Sequence, residues 1–477
     1  MAKNDLMSDK AECFINDQSI KEVLSHARNK CYDRVLVSEI LAKAKKMEGI
    51  TASDAAFLLF NRNPEVTAEI FALAEEITNA YYGNRKVLFA PLYLSNYCIN
   101  HCVYCPYHAT NRQIPRKKMT QEEIKAEVIA LQDLGHKRLA LEAGEDPFHN
   151  PLEYILESID TIYGIHHKNG SIRRVNVNIA ATTVENYKRL HDAKIGTYIL
   201  FQETYNKKEY ERLHPKGPKA DYAYHTEAMD RAMQAGIEDV GIGVLFGLHN
   251  YAYEFVAILK HAKHLEWKYG AGPHTISVPR LQPASDINLA DFKNGLPDAI
   301  FLKIVALLRI AVPYTGMIMS TRESEHIRRQ ALKIGISQIS GGSKTTVGGY
   351  AAHDNTTSKT AQFELSDERT LDEVVNWLMT LGYVPSFCTA CYGKGRQGVD
   401  FMSICKQKQI HNFCTPNALL TLAEYLSNYA SDADGIHSTK YIGAQLIEAE
   451  LQQLPETMRK VVRARMEEAI KGNVKFV

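Results

Sequence analysis

The chain of 477 residues is 45% hydrophobic and 23% charged, a composition typical of a globular protein too long for one ordinary compact core. Its 56 Lys and Arg residues nearly equal its 55 Asp and Glu residues, so no basic field indicates a nucleic-acid partner. The first residues lack the apolar core of a signal peptide, and charges such as Lys303 and Arg309 interrupt the longest apolar stretch, so we expect no membrane span. Nine cysteines in such a chain indicate a reducing, cytoplasmic compartment rather than a disulfide framework.

Residues 1–85 predict a helical extension. It ends in PEVTAEIFALAEEITNAYYG, where apolar residues recur at helical spacing and Gly83 stops the helix. From residue 86 to 380, strand-like runs alternate with amphipathic helical segments. The runs lie at 87–95, 138–144, 174–180, 197–203, 239–248, 274–281, 315–321 and 335–342. Eight such repeats predict an α/β fold of the parallel (βα)8, TIM-type barrel class, with an open doubly wound sheet as the competing arrangement. Residues 381–477 predict a helical C-terminal domain that carries a second group of cysteines.

The motif CINHCVYC (98–105) follows the first predicted strand, at the face where barrel enzymes keep their active sites. It supplies Cys98, Cys102 and Cys105, with the aromatic Tyr104 directly before the third cysteine. A structural zinc site needs four ligands, so a nearby histidine would have to complete it. A [4Fe–4S] cluster held by three thiolates instead keeps one iron free for an exogenous group, and we favour this interpretation.

This spacing, C-x3-C-x2-C with an aromatic residue before the third cysteine, resembles the signature of the radical S-adenosylmethionine (SAM) enzymes. The resemblance implies that SAM chelates the free iron through its amino and carboxylate groups. It also implies that the reduced cluster cleaves SAM to a 5′-deoxyadenosyl radical, which abstracts hydrogen from the substrate. Tyr104 is accordingly counted among the cofactor-binding residues.

Other cofactor contacts are carried over from the same resemblance. EAGEDP is similar to the family's Gly-Gly-Glu region, so Gly144 would let the backbone approach closely and Glu145 would accept from the SAM ammonium. In FQETYN, Glu203 matches a carboxylate that related enzymes direct at SAM. Either glutamate would otherwise be a solvated loop charge. His225 falls where some relatives have an arginine near the SAM carboxylate.

A second cysteine group narrows the resemblance to the HydG family of tyrosine lyases, which serve [FeFe]-hydrogenase maturation. Cys388, Cys391 and Cys414 form a C-x2-C-x22-C arrangement, and stretches such as GPKADY (217–222) and STRES (320–324) extend the likeness over nearly the whole chain. The thiamine-pathway tyrosine lyases share the barrel motifs but lack these C-terminal cysteines. An iron–sulfur carrier without enzymatic activity is the other alternative.

The HydG resemblance implies a two-stage reaction. The radical takes a hydrogen from the amino group of L-tyrosine, and the Cα–Cβ bond breaks to give p-cresol and dehydroglycine. The small fragment then becomes carbon monoxide and cyanide at a second, auxiliary [4Fe–4S] cluster, and both leave bound to iron as a precursor of the hydrogenase active site. A reductant and the other [FeFe]-hydrogenase maturases are the implied partners, in an anaerobic host.

Residues at the ends of predicted strands suit this scheme. Arg322 offers a planar fork for an amino acid carboxylate, unless it forms an ion pair with Glu323 or Glu325. Ser340 could add a hydroxyl contact, although serine before two glycines is often turn chemistry. Asn178 is expected to face the lumen, where it contacts SAM or substrate or else satisfies another polar side chain.

His274 and Cys405 decide how the second cysteine group is interpreted. His274 lies at the start of the sixth predicted strand, near the mouth opposite CINHCVYC. On sequence alone it is a structural histidine, but in the HydG family GPHTIS supplies an imidazole to an extra labile iron beside the auxiliary cluster. Cys405 lies between Cys391 and Cys414, so a closed four-thiolate site of zinc or [4Fe–4S] is the competing interpretation; we favour Cys405 as a small buried hydrophobe.

Overall fold

The structure, a computed structural model, describes residues 10–352, 359–393, 395–408 and 410–477. In these ranges five helices precede the first strand: α1 (Ala11–Phe14), α2 (Asp17–Lys30), α3 (Arg34–Ala44), α4 (Ala52–Phe60) and α5 (Pro64–Tyr82). Helix α5 begins with Pro64 at its first position, where proline is favoured, and the Asn63 side chain accepts from the Glu65 amide. Gly83 ends it with a φ of 60°, as its position after the apolar pattern predicts.

A closed parallel barrel follows. Its eight strands are β1 (Arg85–Ser95), β2 (Arg138–Ala143), β5 (Arg174–Asn178), β6 (Tyr198–Glu203), β7 (Val240–Val244), β8 (Thr275–Ser277), β9 (Gly316–Met319) and β10 (Gln338–Ser340). A small hairpin, β3 (His166–His167) and β4 (Gly170–Ser171), lies outside the barrel. Pairing of β10 with β1, through Leu88 opposite Ile339, closes the sheet and excludes the open doubly wound arrangement. The prediction of a (βα)8 barrel with eight strands is therefore confirmed.

Helices surround the barrel and continue beyond it. Those associated with the barrel are α6 (Gln121–Asp133), α7 (Leu152–Gly164), α8 (Val184–Asp192), α9 (Lys207–Leu213), α10 (Tyr222–Thr226), α11 (Ala228–Gln234), α12 (Tyr251–Tyr269), α13 (Asp298–Ala311), α14 (Glu325–Ile334) and α15 (Leu371–Thr380). The C-terminal helices are α16 (Ala390–Gly393), α17 (Gly398–Lys406), α18 (Ile410–Asn428), α19 (Thr439–Gln453) and α20 (Glu456–Ile470). Within the described ranges, none of the helices is long and apolar enough to span a bilayer.

A ninth strand, β11 (Val384–Ser386), extends the sheet at the N-terminal ends of the barrel strands, which form the lower mouth of the barrel. It pairs in parallel with the first residues of β1, with Arg85 opposite Val384. The sequence pattern does not predict this strand. Because Cys388 follows it directly, β11 carries the second cysteine group to the N-terminal ends of the barrel strands.

Alternation along the strands separates the core from the lumen. Val175 and Val177 of β5 are fully buried in the hydrophobic core, whereas Asn178 lines a central cavity. The same alternation places Glu142 of β2 and Ser340 of β10 on the lumen side. Polar side chains of the strands therefore face the lumen of the barrel, and the apolar side chains pack against the surrounding helices.

Candidate active site

Three cavities follow the barrel from top to bottom. The upper cavity has a volume of about 170 Å³ and is lined by Cys98, Cys102 and Cys105. The middle cavity, of about 100 Å³, lies in the lumen and shares Glu142, Asn178 and Arg322 with the upper one. The lower cavity, of about 60 Å³, is lined by Cys388, Cys391, Cys414 and His274.

The upper cysteine loop is held by its backbone on two sides. The Ile99 amide donates to the Glu145 carbonyl at 2.8 Å, and the Val103 amide donates to the Leu213 carbonyl at 3.0 Å. Burial raises the pKa of all three thiols, that of Cys105 to about 12. Neutral thiols packed this closely need a cation before they ionise together, which is the environment that an iron–sulfur cluster supplies.

Gly144 is required where the second strand meets this loop. A Cβ at this position would lie 2.3 Å from the Tyr97 carbonyl oxygen and 3.0 Å from the Cys98 Cβ. The close approach predicted for Gly144 is therefore to the cysteine loop itself. Its neighbour Glu145 accepts a hydrogen bond from Asn100 Nδ2 at 2.6 Å and lines the same cavity.

Glu203 reaches the upper cavity from a strained backbone position. It ends β6 with a φ of 66°, in the left-handed region, beside a shift in strand register. Its Oε1 lies 3.1 Å from Lys219 Nζ. Burial opposes the charge of Lys219, but the carboxylate of Glu203 and the nearby Cys102 raise its pKa above its ordinary value.

His225 and Tyr104 are both buried beside this pair. The His225 Nε2–H donates to the Phe201 carbonyl at 2.9 Å, and burial lowers the pKa of His225 well below its ordinary value. A neutral ring of this kind does not supply the positive charge of an arginine; Lys219 is the cation at this place. The Tyr104 hydroxyl lies 2.7 Å from His214 Nε2, whose other ring nitrogen donates to the Tyr210 carbonyl, so Tyr104 is the donor.

Arg322 enters the middle cavity without an acidic partner. Its guanidinium lies over the Phe363 ring, 3.4 Å from the centroid. Glu323 instead pairs with Arg280, and Glu325 accepts from Arg329 at 3.0 Å. Within the described part of the chain no carboxylate forms an ion pair with Arg322, which leaves its fork available to a ligand.

Two further predicted residues line the middle cavity. Asn178 Nδ2 donates to Glu142 Oε2 at 2.7 Å, so part of its hydrogen-bonding capacity is used inside the protein. Ser340 Oγ accepts from the Thr321 amide at 3.2 Å and lies at the floor of the cavity. Tyr93 and Gln362 join across its upper edge, through a hydrogen bond of 2.9 Å.

The lower cavity gathers the second cysteine group with basic side chains. Cys391 and Cys414 share a hydrogen bond that lowers the pKa of Cys414, and the charges of Arg85 and Arg396 lower it further. Arg138 donates to the Cys388 carbonyl at 2.9 Å. The Cys414 thiol therefore ionises more readily than an ordinary thiol even without a metal.

His274 and Cys405 take different positions around this cavity. His274 lines it, and its Nδ1 lies 3.2 Å from Asp239 Oδ1, while no described residue hydrogen-bonds its Nε2. Cys405 is 1% exposed and packs in the hydrophobic core without lining the cavity. Nowhere in the described ranges do three His, Cys, Asp or Glu side chains converge on the position of a single metal ion.

The lower and middle cavities are successive layers of one lumen. Pairs of residues two positions apart on a strand line the two layers: Val87 and Phe89, Arg138 and Ala140, Gly316 and Ile318, and Gln338 and Ser340. Because alternate strand residues face the same side, both cavities lie on the barrel axis. The two cysteine groups therefore occupy opposite ends of the same barrel.

The chain matches the Radical SAM superfamily over residues 92–262 and the Biotin and Thiamin Synthesis associated domain over residues 277–384. A crystal structure of HydG, a maturase of the [FeFe]-hydrogenase, is 51% identical, with a TM-score of 0.91 over 97% of this chain and 99% of that one. The chain belongs to the HydG family. HydG from Carboxydothermus hydrogenoformans is 37% identical, with a TM-score of 0.81 over 95% of this chain and 99% of that one. The 2-iminoacetate synthase of Salmonella typhimurium is 28% identical over 70% of this chain and 86% of its own length.

Membership of the HydG family confirms the predicted class of enzyme, a radical SAM lyase, and with it a [4Fe–4S] cluster and SAM. The cavities also contain residues that the sequence analysis did not single out. Lys219 lies in a short 3-10 helix (Pro218–Ala220) after α9, within the motif GPKADY, and Glu142 occupies the lumen side of β2. For Glu142 a signal was available, since it continues the alternation of Arg138 and Ala140.

Proposed function

We propose that this HydG-family protein cleaves the Cα–Cβ bond of L-tyrosine to p-cresol and dehydroglycine and then converts dehydroglycine to carbon monoxide and cyanide. The observation that carries the proposal is the lower cavity with its three cysteines, in a chain whose likeness to HydG extends through this C-terminal segment. The likeness to 2-iminoacetate synthase covers 70% of the chain. A lyase that stops after the first reaction is the second candidate.

In the upper cavity Cys98, Cys102 and Cys105 would hold the first [4Fe–4S] cluster, with one iron open to SAM. When bound, the cluster and SAM supply the 5′-deoxyadenosyl radical that takes a hydrogen from the tyrosine amino group. Glu145 and Glu203 provide acceptors for the SAM ammonium, and Lys219 provides the positive charge beside them.

Further contacts complete the SAM site. Gly144 keeps the cysteine loop close to β2, and Asn178, Tyr104 and His225 form the surrounding wall. Tyr104 and His225 act through packing and neutral hydrogen bonds, because neither is ionised at neutral pH.

In the middle cavity Arg322 would bind the carboxylate of L-tyrosine through its planar fork, and Ser340 would add a hydroxyl at the floor. Apolar residues that line the same cavity, Ile199, Phe201 and Ile318, offer a surface for the aromatic ring. The cavity thus offers a cation and an apolar surface to a small amphiphilic amino acid.

In the lower cavity Cys388, Cys391 and Cys414 would hold the auxiliary [4Fe–4S] cluster, and His274 would ligate an additional labile iron. When bound, that cluster supplies the iron on which carbon monoxide and cyanide are produced and released. Asp239, at 3.2 Å from His274 Nδ1, would orient the imidazole in the manner of an outer-shell carboxylate. Arg85 and Arg138 give the cavity the positive charge that suits cyanide.

The proposal includes the partners and the setting of the reaction. A cytoplasmic, anaerobic enzyme of this kind needs a one-electron reductant, and its product passes to the other [FeFe]-hydrogenase maturases. The test uses anaerobic protein reconstituted with iron and sulfide, with dithionite, SAM and ¹³C-labelled L-tyrosine added. We expect p-cresol together with labelled carbon monoxide and cyanide. Cresol alone would favour the 2-iminoacetate synthase alternative, and no consumption of SAM or tyrosine would favour an iron–sulfur carrier.

A further inference from the structure

Glu142 and Arg322 bring a carboxyl group and a guanidinium to the middle cavity without pairing to each other. Both residues line the upper and middle cavities, and no ion pair joins them within 4.0 Å. The charge of each still acts on the other, since each shifts the pKa of its partner. A carboxyl group and a guanidinium held apart at the wall of one cavity match a zwitterion, whose carboxylate and ammonium groups are separated by one carbon.

The carboxyl group of Glu142 is fixed at one oxygen and free at the other. Oε2 accepts from Asn178 Nδ2 at 2.7 Å, and no described residue hydrogen-bonds Oε1. The nearest hydroxyls are engaged elsewhere: Tyr93 donates to Gln362 Oε1 at 2.9 Å, and Tyr107 donates to the Thr360 carbonyl at 3.2 Å. Among the residues that the structure describes, Arg322 is the one cation whose charge acts on Glu142.

We propose that Glu142 binds the ammonium group of L-tyrosine through Oε1 and accepts one of its protons before hydrogen abstraction. This inference rests on the proposed function and adds a catalytic residue to it. The N–H bond of the ammonium breaks, its electron pair stays on nitrogen, and the proton goes to the carboxylate oxygen. No oxidant or reductant is needed, and the product is the neutral amine from which a hydrogen atom is then taken.

The environment of Glu142 favours such a transfer. Burial raises the pKa of Glu142 to about 8, against the opposing effects of Arg322 and the Asn178 hydrogen bond, so the carboxyl is largely protonated at neutral pH before substrate binds and ionises when the substrate ammonium lies beside it. An ordinary exposed carboxylate is too weak a base for an ammonium group, whereas a group with a pKa close to that of the ammonium exchanges its proton efficiently. A free amino acid is mostly protonated at neutral pH, so an enzyme that reacts at the amine gains from a base at this position.

The test separates recognition of the amino group from turnover. L-Tyrosine and 3-(4-hydroxyphenyl)propanoate, which lacks the amino group, are titrated into wild-type, Glu142→Gln and Glu142→Asp protein reconstituted with iron and sulfide. The wild type is expected to prefer tyrosine, and Glu142→Gln to lose that preference by about tenfold while binding the amino-free compound unchanged. Glu142→Asp, which keeps a carboxylate, should retain part of the preference. The exposed Glu157→Gln on α7 serves as the control for loss of one charge.

The pH profile of p-cresol formation gives the second readout. Glu142→Gln is expected to be about 100-fold slower than wild type at pH 7 and to gain rate only as free tyrosine loses its ammonium proton, whereas the wild-type rate levels off once Glu142 is ionised above its pKa of about 8. An unchanged preference for tyrosine in Glu142→Gln, or a pH profile parallel to that of wild type, would overturn the assignment. Loss of the preference in a protein that never releases p-cresol would support Glu142 as the ammonium partner and overturn the proposed function. Release of p-cresol by a protein whose preference for tyrosine does not depend on Glu142 would support the proposed function and reject the role of Glu142.

Discussion

The carboxylate of Glu203 lies 3.1 Å from the ammonium of Lys219 at the wall of the upper cavity, where both side chains are largely withdrawn from solvent. A left-handed backbone at Glu203 directs one partner into the cavity. The loop that carries the other is tied to the cysteine motif through the His101 amide, which donates to the Lys216 carbonyl at 3.0 Å. The pair therefore connects the fourth barrel strand to the first cluster site.

Removing one partner of the Glu203–Lys219 pair should lower the free energy of unfolding more than removing both partners. Lys219→Met leaves a carboxylate without its cation, and we expect the free energy of unfolding of the metal-free protein to fall by about 3 kcal/mol. The double variant Glu203→Gln/Lys219→Met should recover most of that loss. Urea denaturation under anaerobic conditions measures both values. Lys207→Met, which removes an exposed pair with Glu12, is the control and should change stability by about 0.5 kcal/mol. Additive losses in the double variant would contradict the coupling.

Substitution of Gly144 should disturb the first cluster site through sterics alone. The Cβ of Gly144→Ala would meet the Tyr97 carbonyl at 2.3 Å, and backbone must move to relieve that contact. We expect a loss of about 1–3 kcal/mol in stability and incomplete iron loading of the upper site after reconstitution. Gly164→Ala is the matched control, because nothing lies within 4 Å of its Cβ and it ends a helix. Full iron loading of Gly144→Ala would show that the loop tolerates the shift.

The raised pKa of Glu142 predicts a defined dependence of stability on pH. The folded protein holds this proton up to a pKa of about 8, whereas the unfolded chain releases it near the ordinary value. Wild-type stability therefore decreases, relative to Glu142→Gln, as the pH rises from about 4.5 to 8, and the difference stays constant above that. We expect the difference to reach about 2 kcal/mol in urea denaturation of the metal-free proteins, since the Glu142 side chain is not fully buried. A difference that is flat across this range would mean that the carboxyl titrates normally.

Strand periodicity and cysteine spacing were enough to predict the barrel and its two cysteine groups. The eight strands emerge because each combines a β-branched or apolar run with an adjacent amphipathic helix. The strand Val384–Ser386 was missed, since it is short and has Pro385 at its centre, which weakens a strand signal. Its pairing with Arg85 of β1 is a long-range contact that local pattern does not encode.

The missed site residues have a similar physical explanation. Lys219 lies in a single 3-10 turn, Pro218–Ala220, and it comes near Cys102 only because backbone hydrogen bonds hold the preceding segment against the cysteine motif. The sequence does not show that the guanidinium of Arg322 lacks an acidic partner, because this depends on Glu323 pairing with Arg280 instead. The role of Phe363 as a platform for Arg322 likewise depends on a segment that folds back over the barrel from far along the chain.

Cys405 should be dispensable for iron binding at the lower site. It is buried in the core and does not line the cavity, so Cys405→Ala removes a small apolar side chain and costs about 1 kcal/mol of stability. Iron and sulfide analysis after anaerobic reconstitution should match the wild type. Loss of about four irons per chain would indicate instead a closed site with four thiolates.

The central claim is that tyrosine is cleaved at the upper end of the barrel and carbon monoxide is formed at the lower end. Cys388→Ala tests this claim most directly. This variant removes a proposed ligand of the lower site without touching the upper cavity. Reconstituted anaerobically and supplied with SAM, dithionite and L-tyrosine, it should form p-cresol within about threefold of the wild-type rate and release no carbon monoxide, while Cys405→Ala yields both. Carbon monoxide at the wild-type level from Cys388→Ala, or parallel loss of both products with the upper cluster intact, would contradict the two-site account.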